Sequence, residues 1–173
     1  MSEVEITLRE AVPDDAGNLL QVSRKIAEET DFLIMDEAGL GLNEELLSLQ
    51  LADLYESENN LLLLAFADEK IVGMASVKSA PEFTVSHIGE VGISVLKDFW
   101  GIGLGTALLD EVIYWSENVS PLRRLELTVQ KRNERAIHLY QKFDFVTEAT
   151  MKRGARDVQG EFLDVLLMSK LIN

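Results

Sequence analysis

Hydrophobic and polar residues change periodicity repeatedly along this chain, and each change marks an element. From Glu5 to Ala11, Ile6 and Leu8 alternate with Thr7 and Arg9, the pattern of a strand stopped at Pro13. Asp14 or Asp15 can cap a helix whose apolar stripe is Leu19, Leu20, Val22 and Ile26. Asp31 to Leu42 has no period and carries the breakers Gly39 and Gly41. Asn43 then caps a second helix, Glu44 to about Glu56, on Leu46, Leu47, Leu49, Leu51 and Leu54.

Leu61 to Ala67 is apolar throughout, as expected of a strand buried on both faces. Asp68-Glu69-Lys70 makes a tight turn, and Ile71 to Lys78 returns antiparallel. Beyond Pro81, Val85 to Val95 reads as one long strand, with Gly89 and Gly92 as candidate bulges. A helix follows on Leu104, Leu108 and Val112, with Leu109, Ile113 and Trp115 beside them, ending near Ser116. Arg124 to Val129 is a strand, Asn133 opens a helix, and Phe145–Thr150 and Phe162–Ser169 are the last strands, joined by a basic, glycine-bearing loop. No repeat or linker interrupts this order, which predicts one domain over residues 1–173. Its fold class is α/β: a mixed, largely antiparallel central sheet flanked by helices. The middle of that sheet is the pairing of Val85–Val95 with Arg124–Val129 across a crossover helix.

The joint between the long strand and that crossover helix carries the most chemistry. Gly101, Gly103 and Gly105 stand at every second position, where the missing Cβ lets a bulky ligand approach the backbone. The helix that follows begins with unpartnered N–H groups and partial positive charge, a seat for phosphate. A nucleoside-triphosphate loop would need Gly-Lys-Ser/Thr, but Gly105 is followed by Thr106-Ala107. The dinucleotide fingerprint would need Gly-x-Gly-x-x-Gly, and this spacing differs.

The stretch resembles instead the acetyl-coenzyme A pyrophosphate loop of the GNAT N-acetyltransferase superfamily, Arg/Gln-x-x-Gly-x-Gly/Ala. Gly103 and Gly105 take the glycine places, and Trp100 departs from Arg/Gln. A second stretch is similar to the superfamily's strand–turn–Asn-x-x-Ala-x-x-x-Tyr motif: Asn133, Ala136 and Tyr140 match, while Asp144-Phe145 replaces Gly-Phe. Spacings of three and four residues put the matching side chains on one helical face.

The resemblance implies a GNAT-like sheet whose strands splay at the cofactor site, and an enzyme that moves acetyl from acetyl-coenzyme A to a primary amine. It implies cofactor contacts from Ile93, Ser94, Val95, Trp100, Gly101, Ile102, Gly103, Leu104, Gly105, Thr106, Asn133, Ala136 and Tyr140, with Asn133 at the pantetheine arm and Tyr140 at the sulfur. The catalytic pair expected is Tyr140, donating to the thiolate, and Glu90, taking the amine's proton. Glu90 shares parity with Gly92 and Ser94; the family's usual glutamate position falls on Gly89, and a bulge near Gly92 could restore its direction. A backbone N–H near Ile93–Val95 would meet the thioester oxygen. The other reading is a module that keeps the cofactor seat as a sensor without turnover.

Composition narrows the partners. A formal charge of −14 argues against nucleic acid, and the cations Lys97, Lys131, Arg132, Arg135 and Lys142 flank the two cofactor stretches. Glu28, Glu29, Asp31, Asp36 and Glu37 would draw a cationic acceptor, such as a polyamine, although excess acid also serves solubility alone. No cysteine is present, so attack is expected to be direct, in a ternary complex. No metal-ligand spacing appears. His87 is expected on the long strand as a structural or substrate-rim residue, and His138 on a solvated helix face. The acidic N-terminus and short apolar runs predict a cytoplasmic protein without a membrane segment, and a homodimer is compatible with the sequence.

Overall fold

β2 (Leu61–Ala67) lies between β1 (Ile6–Glu10) and β3 (Lys70–Lys78), antiparallel to both, and is buried on both faces as its unbroken apolar run requires. The structure, a computed structural model, describes residues 3–30 and 43–173. The aperiodic stretch predicted over Asp31–Leu42, with Asp31, Asp36 and Glu37, lies outside the described residues. The seven-stranded sheet runs β1-β2-β3-β4-β5-β7-β6, with β4 Ile88–Val95, β5 Arg124–Gln130, β6 Val146–Arg156 and β7 Phe162–Leu171. Among the described residues only β4 and β5 pair in parallel. Between them in sequence runs the crossover helix α3 (Leu104–Asn118), two residues longer than its pattern suggests.

α3 covers the sheet face that carries Gly73, Gly89 and Val91, and puts Leu104 and Leu108 against Gly73. The helices α1 (Ala16–Glu29) and α2 (Glu44–Glu56) pack on β3 and β2, and α4 (Glu134–Lys142) lies beside α3, with Leu139 touching Gly105. The α1 stripe of Leu19, Leu20, Val22 and Ile26 is buried as predicted. Asp15 precedes that helix, accepts the Val12 N–H at 2.8 Å and holds Arg9 through both carboxylate oxygens. Asn43 caps α2 by accepting the Leu46 N–H at 2.9 Å.

Three expectations need correction. On α2 only Leu47 and Leu51 are buried, with Leu54 half-covered; Leu46 and Leu49 face outward, because a single helix buries one stripe and not every leucine. The strand expected over Val85–Val95 begins at Ile88, since residues 83–87 form turns closed by Val85 N–H to Glu82 C=O and Ile88 N–H to Val85 C=O. His87 therefore lies in a turn, exposed, its carbonyl accepting the Arg123 and Arg124 N–H groups. The last hairpin extends further than its pattern suggested: β6 reaches Arg156, and the predicted loop contracts to the turn Asp157–Gly160. β6 departs from regular register with β7 near Thr147–Ala149 and Met151–Ala155, where Arg153 has φ +55°.

Candidate active site

The central feature of the site is a gap in the sheet. β4 pairs with β5 only through Ile88, Gly89 and Glu90, while its pairing with β3 continues to Val95. Leu96 N–H bonds Val72 C=O at 2.9 Å, which fixes the hydrogen-bonded pairs of this ladder at the even positions of β4. The N–H groups of Ile93 and Val95 therefore point away from β3, toward the gap. On β5, Lys131 N–H bonds Asp164 C=O, so by the same rule Thr128 turns its amide toward β4. The splay predicted at the cofactor site is present, with unpaired strand edge on both sides.

No register shift occurs between β3 and β4, so the suggested bulge at Gly89 or Gly92 is absent. Parity is therefore strict. Gly89 faces the core, where an added Cβ would lie 2.5 Å from Val77 Cγ1 and 2.8 Å from Leu122 Cδ1. No acid fits there. Glu90 stands on the opposite face, exposed, in a row with Lys78 on β3 and Glu126 on β5, and with Gly92 and Ser94 farther along its own strand. Arg124 beside this row is committed to carboxylates, at 2.9 Å from Glu126 and in a two-point contact with Glu148. Those hydrogen bonds raise the Arg124 guanidinium, and Glu148 falls to about 2, chiefly through its bond from Arg124.

Beyond β4 the chain turns through Lys97–Phe99 into the glycine stretch. Gly101 (φ +79°) and Gly103 (φ +84°) take left-handed conformations that favour glycine, and a Cβ at either would meet nothing within 4 Å. Gly101, Ile102 and Gly103 are exposed, Gly105 and Thr106 half-buried, and Leu104 anchors the turn in the core. None of the N–H groups from Gly101 to Thr106 donates a well-formed hydrogen bond to another described residue; the first to do so is Ala107, to Gly103 C=O. Consecutive open amides at the head of a helix form a nest for an anion. Trp100 lies across the entrance, its Nε1 donating to Val95 C=O at 2.8 Å, and so joins the turn to the open edge of β4.

α4 closes the other side. Asn133 caps it, its Oδ1 accepting the Ala136 N–H, and Ala136 packs on the core. Tyr140 has its ring buried against Phe145, with centroids 5.7 Å apart, while its hydroxyl takes no hydrogen bond from any described residue. Burial pushes this phenol up to about 12. Asp144, in the family's glycine place, has φ +68°, a conformation that aspartate tolerates better than most side chains. His138 is exposed.

Sequence reading missed two contacts. Glu29, assigned to an acceptor field, accepts the Lys97 N–H at 2.8 Å and so ties the end of α1 to the turn that leads into the glycines. Arg135 lies over the Trp100 ring, its Cζ 5.3 Å from the centroid. Position flagged Arg135 as a nearby cation; nothing local in the sequence signals either pairing. Among the described residues no group of three or more His, Asp or Glu could hold a metal ion, and no helix is long and apolar enough to cross a membrane.

An anion nest leading into a slot between strands fits an extended phosphorylated ligand. Comparison with known proteins gives the class. The family model described as the acetyltransferase (GNAT) family matches residues 28–145, and the chain belongs to that family. The L-amino acid N-acetyltransferase AaaT of Escherichia coli (strain K12) is 32% identical over 109 residues, covering 63% of this chain and 67% of the relative. An acetyltransferase of the GNAT family from Streptococcus pneumoniae superposes with a TM-score of 0.94 at 43% identity, over 97% of this chain and 100% of that one. The structure of yncA from Salmonella typhimurium, solved with its cofactor acetyl-CoA, superposes with a TM-score of 0.84 at 17% identity, over 98% and 95%. The protein is an acyltransferase.

Proposed function

We propose that this chain transfers the acetyl group of acetyl-coenzyme A to a primary amine by direct attack, with the cofactor held in the gap between β4 and β5. The donor is acetyl-coenzyme A, as the family membership implies. The observation that carries the residue assignment is the end of β4–β5 pairing at Glu90, beside a turn of open amides. The diphosphate rests on the N–H groups of Gly101–Thr106, and the pantetheine arm extends the open edge of β4 past Val95 toward Ile93. The acceptor approaches from the face that bears Glu90, Gly92, Ser94 and Thr128, opposite α3.

A primary ammonium has a pKa of about 10.4, so freeing its amine at pH 7 costs about 4.6 kcal/mol. Glu90, directly or through water, takes that proton. The amine nitrogen bonds to the thioester carbon, the oxygen meets the N–H of Ile93 or Val95, the C–S bond breaks, and the second proton, lost by the nitrogen as the amide forms, goes to the departing sulfur. Tyr140 donates a hydrogen bond to the departing sulfur. A phenol at about 12 lies roughly 5 kcal/mol from giving its proton to a thiolate of about 8.5, so it stabilises the sulfur by hydrogen bonding and does not become a phenolate. The acceptor is an amine drawn by an acidic surface, and α-amines of L-amino acids head the set to try because AaaT is named for them.

The test is thiol release from acetyl-coenzyme A across L-amino acids, diamines and polyamines, with calorimetric titration of the cofactor in parallel. Turnover on at least one amine, reduced about 100-fold in kcat/KM by Glu90→Gln, is expected. Tight cofactor binding without release on any amine would make the chain a sensor instead.

A further inference from the structure

The GNAT pattern places an arginine or glutamine beside the glycines, and this chain has Trp100 there, in a protein of net charge −14 that must bind an anion. We propose that Arg135 supplies the missing side-chain cation, held by the Trp100 ring so that its guanidinium reaches the diphosphate on the glycine turn. The inference rests on the reading of that turn as the cofactor seat. Arg135 and Leu139 are four residues apart and share a face of α4. Leu139 touches the turn at Gly105, with its Cδ2 3.3 Å from where a Cβ would stand, and Arg135 touches it at Trp100. That face of α4 therefore meets the turn on both sides of Gly101–Leu104, at Trp100 and at Gly105.

The tryptophan is itself fixed, because its Nε1 bonds Val95 C=O at 2.8 Å and sets the ring as a platform. A guanidinium stacked on an indole keeps its N–H edge open, the edge that grips phosphate oxygens in pairs. Among the described residues Arg135 forms no ion pair, whereas Arg9 and Arg124 are committed to carboxylates. The cation at this ligand group thus comes from the facing helix and not from the turn.

The experiment compares wild type, Arg135→Gln and Trp100→Ala with three donors. These are acetyl-coenzyme A, acetyl-dephospho-coenzyme A, which keeps the diphosphate and lacks the ribose phosphate, and S-acetylpantetheine, which lacks both. Binding is measured by calorimetry, and circular dichroism checks that each variant is folded. Both variants are expected to weaken the two diphosphate donors to a similar degree, roughly 10- to 100-fold for Arg135→Gln, and to leave S-acetylpantetheine unchanged. Weakening confined to the donor with a ribose phosphate would place Arg135 elsewhere on the ligand and overturn the proposal. Unchanged binding of every donor by Arg135→Gln would overturn it too, with the cofactor seat left standing. Failure of wild type itself to bind acetyl-coenzyme A would remove the seat and the inference together.

Discussion

At the scale of single residues, the two departures from the family pattern have local explanations. Asp144 replaces a glycine yet keeps the left-handed backbone, so Phe145 still turns back onto Tyr140. Trp100 replaces a polar side chain yet still donates a hydrogen bond, now to Val95 C=O. Tyr140 is the residue whose environment decides its chemistry. With its phenol at about 12, it stays protonated through the neutral range, and a rise of kcat/KM between pH 6 and 9 is expected from titration of the amine acceptor itself. Tyr140→Phe is therefore expected to lower kcat roughly 100-fold while leaving that rise in place, as a pH series of initial rates would show. The same group has a stability signature. Unfolded, the phenol loses its proton near 10; folded, it keeps it to about 12, so stability should fall as pH climbs through that window.

At the scale of elements, the turn before the glycines depends on a distant helix end. Glu29 closes α1 and accepts the Lys97 N–H, a contact between residues 68 apart in the chain. Glu29→Ala is expected to cost about 1 kcal/mol of stability in a denaturant titration and to raise the KM for acetyl-coenzyme A while kcat changes little. The gap between β4 and β5 is likewise a property of paired elements. β4 pairs with β3 from Glu90 to Val95 but with β5 only from Ile88 to Glu90, and that difference creates the slot. The glycine turn itself was legible, because three alternating glycines before an apolar helical stripe have few other uses. The gap was expected only from family resemblance: the even apolar pattern of β4 says nothing about where its neighbour departs.

At the scale of the whole molecule, acid predominates, and several carboxylates are committed. Asp15 is held below its usual range chiefly by hydrogen bonds from Arg9, Asp164 by Lys152, and Glu148 by Arg124. A depressed carboxylate binds fewer protons folded than unfolded, so stability rises with pH across the window between the two values and is lost as pH falls through the folded ones. The urea midpoint is expected to drop between about pH 5 and pH 2, and Glu148→Gln should flatten the lower part of that fall.

The sequence by itself determined the elements that local period and capping specify: the doubly buried run of β2, the Asn43 and Asn133 caps, and the open turn at Gly101–Gly105. These need no information beyond a few neighbours. Only the tertiary structure decided that β4 starts at Ile88, that Gly89 has no room for an acid, that Glu90 faces away from α3, and that Arg135 rests on Trp100. Each depends on what another strand or helix places opposite, and burial on a given face is a fact about the neighbour as much as about the residue.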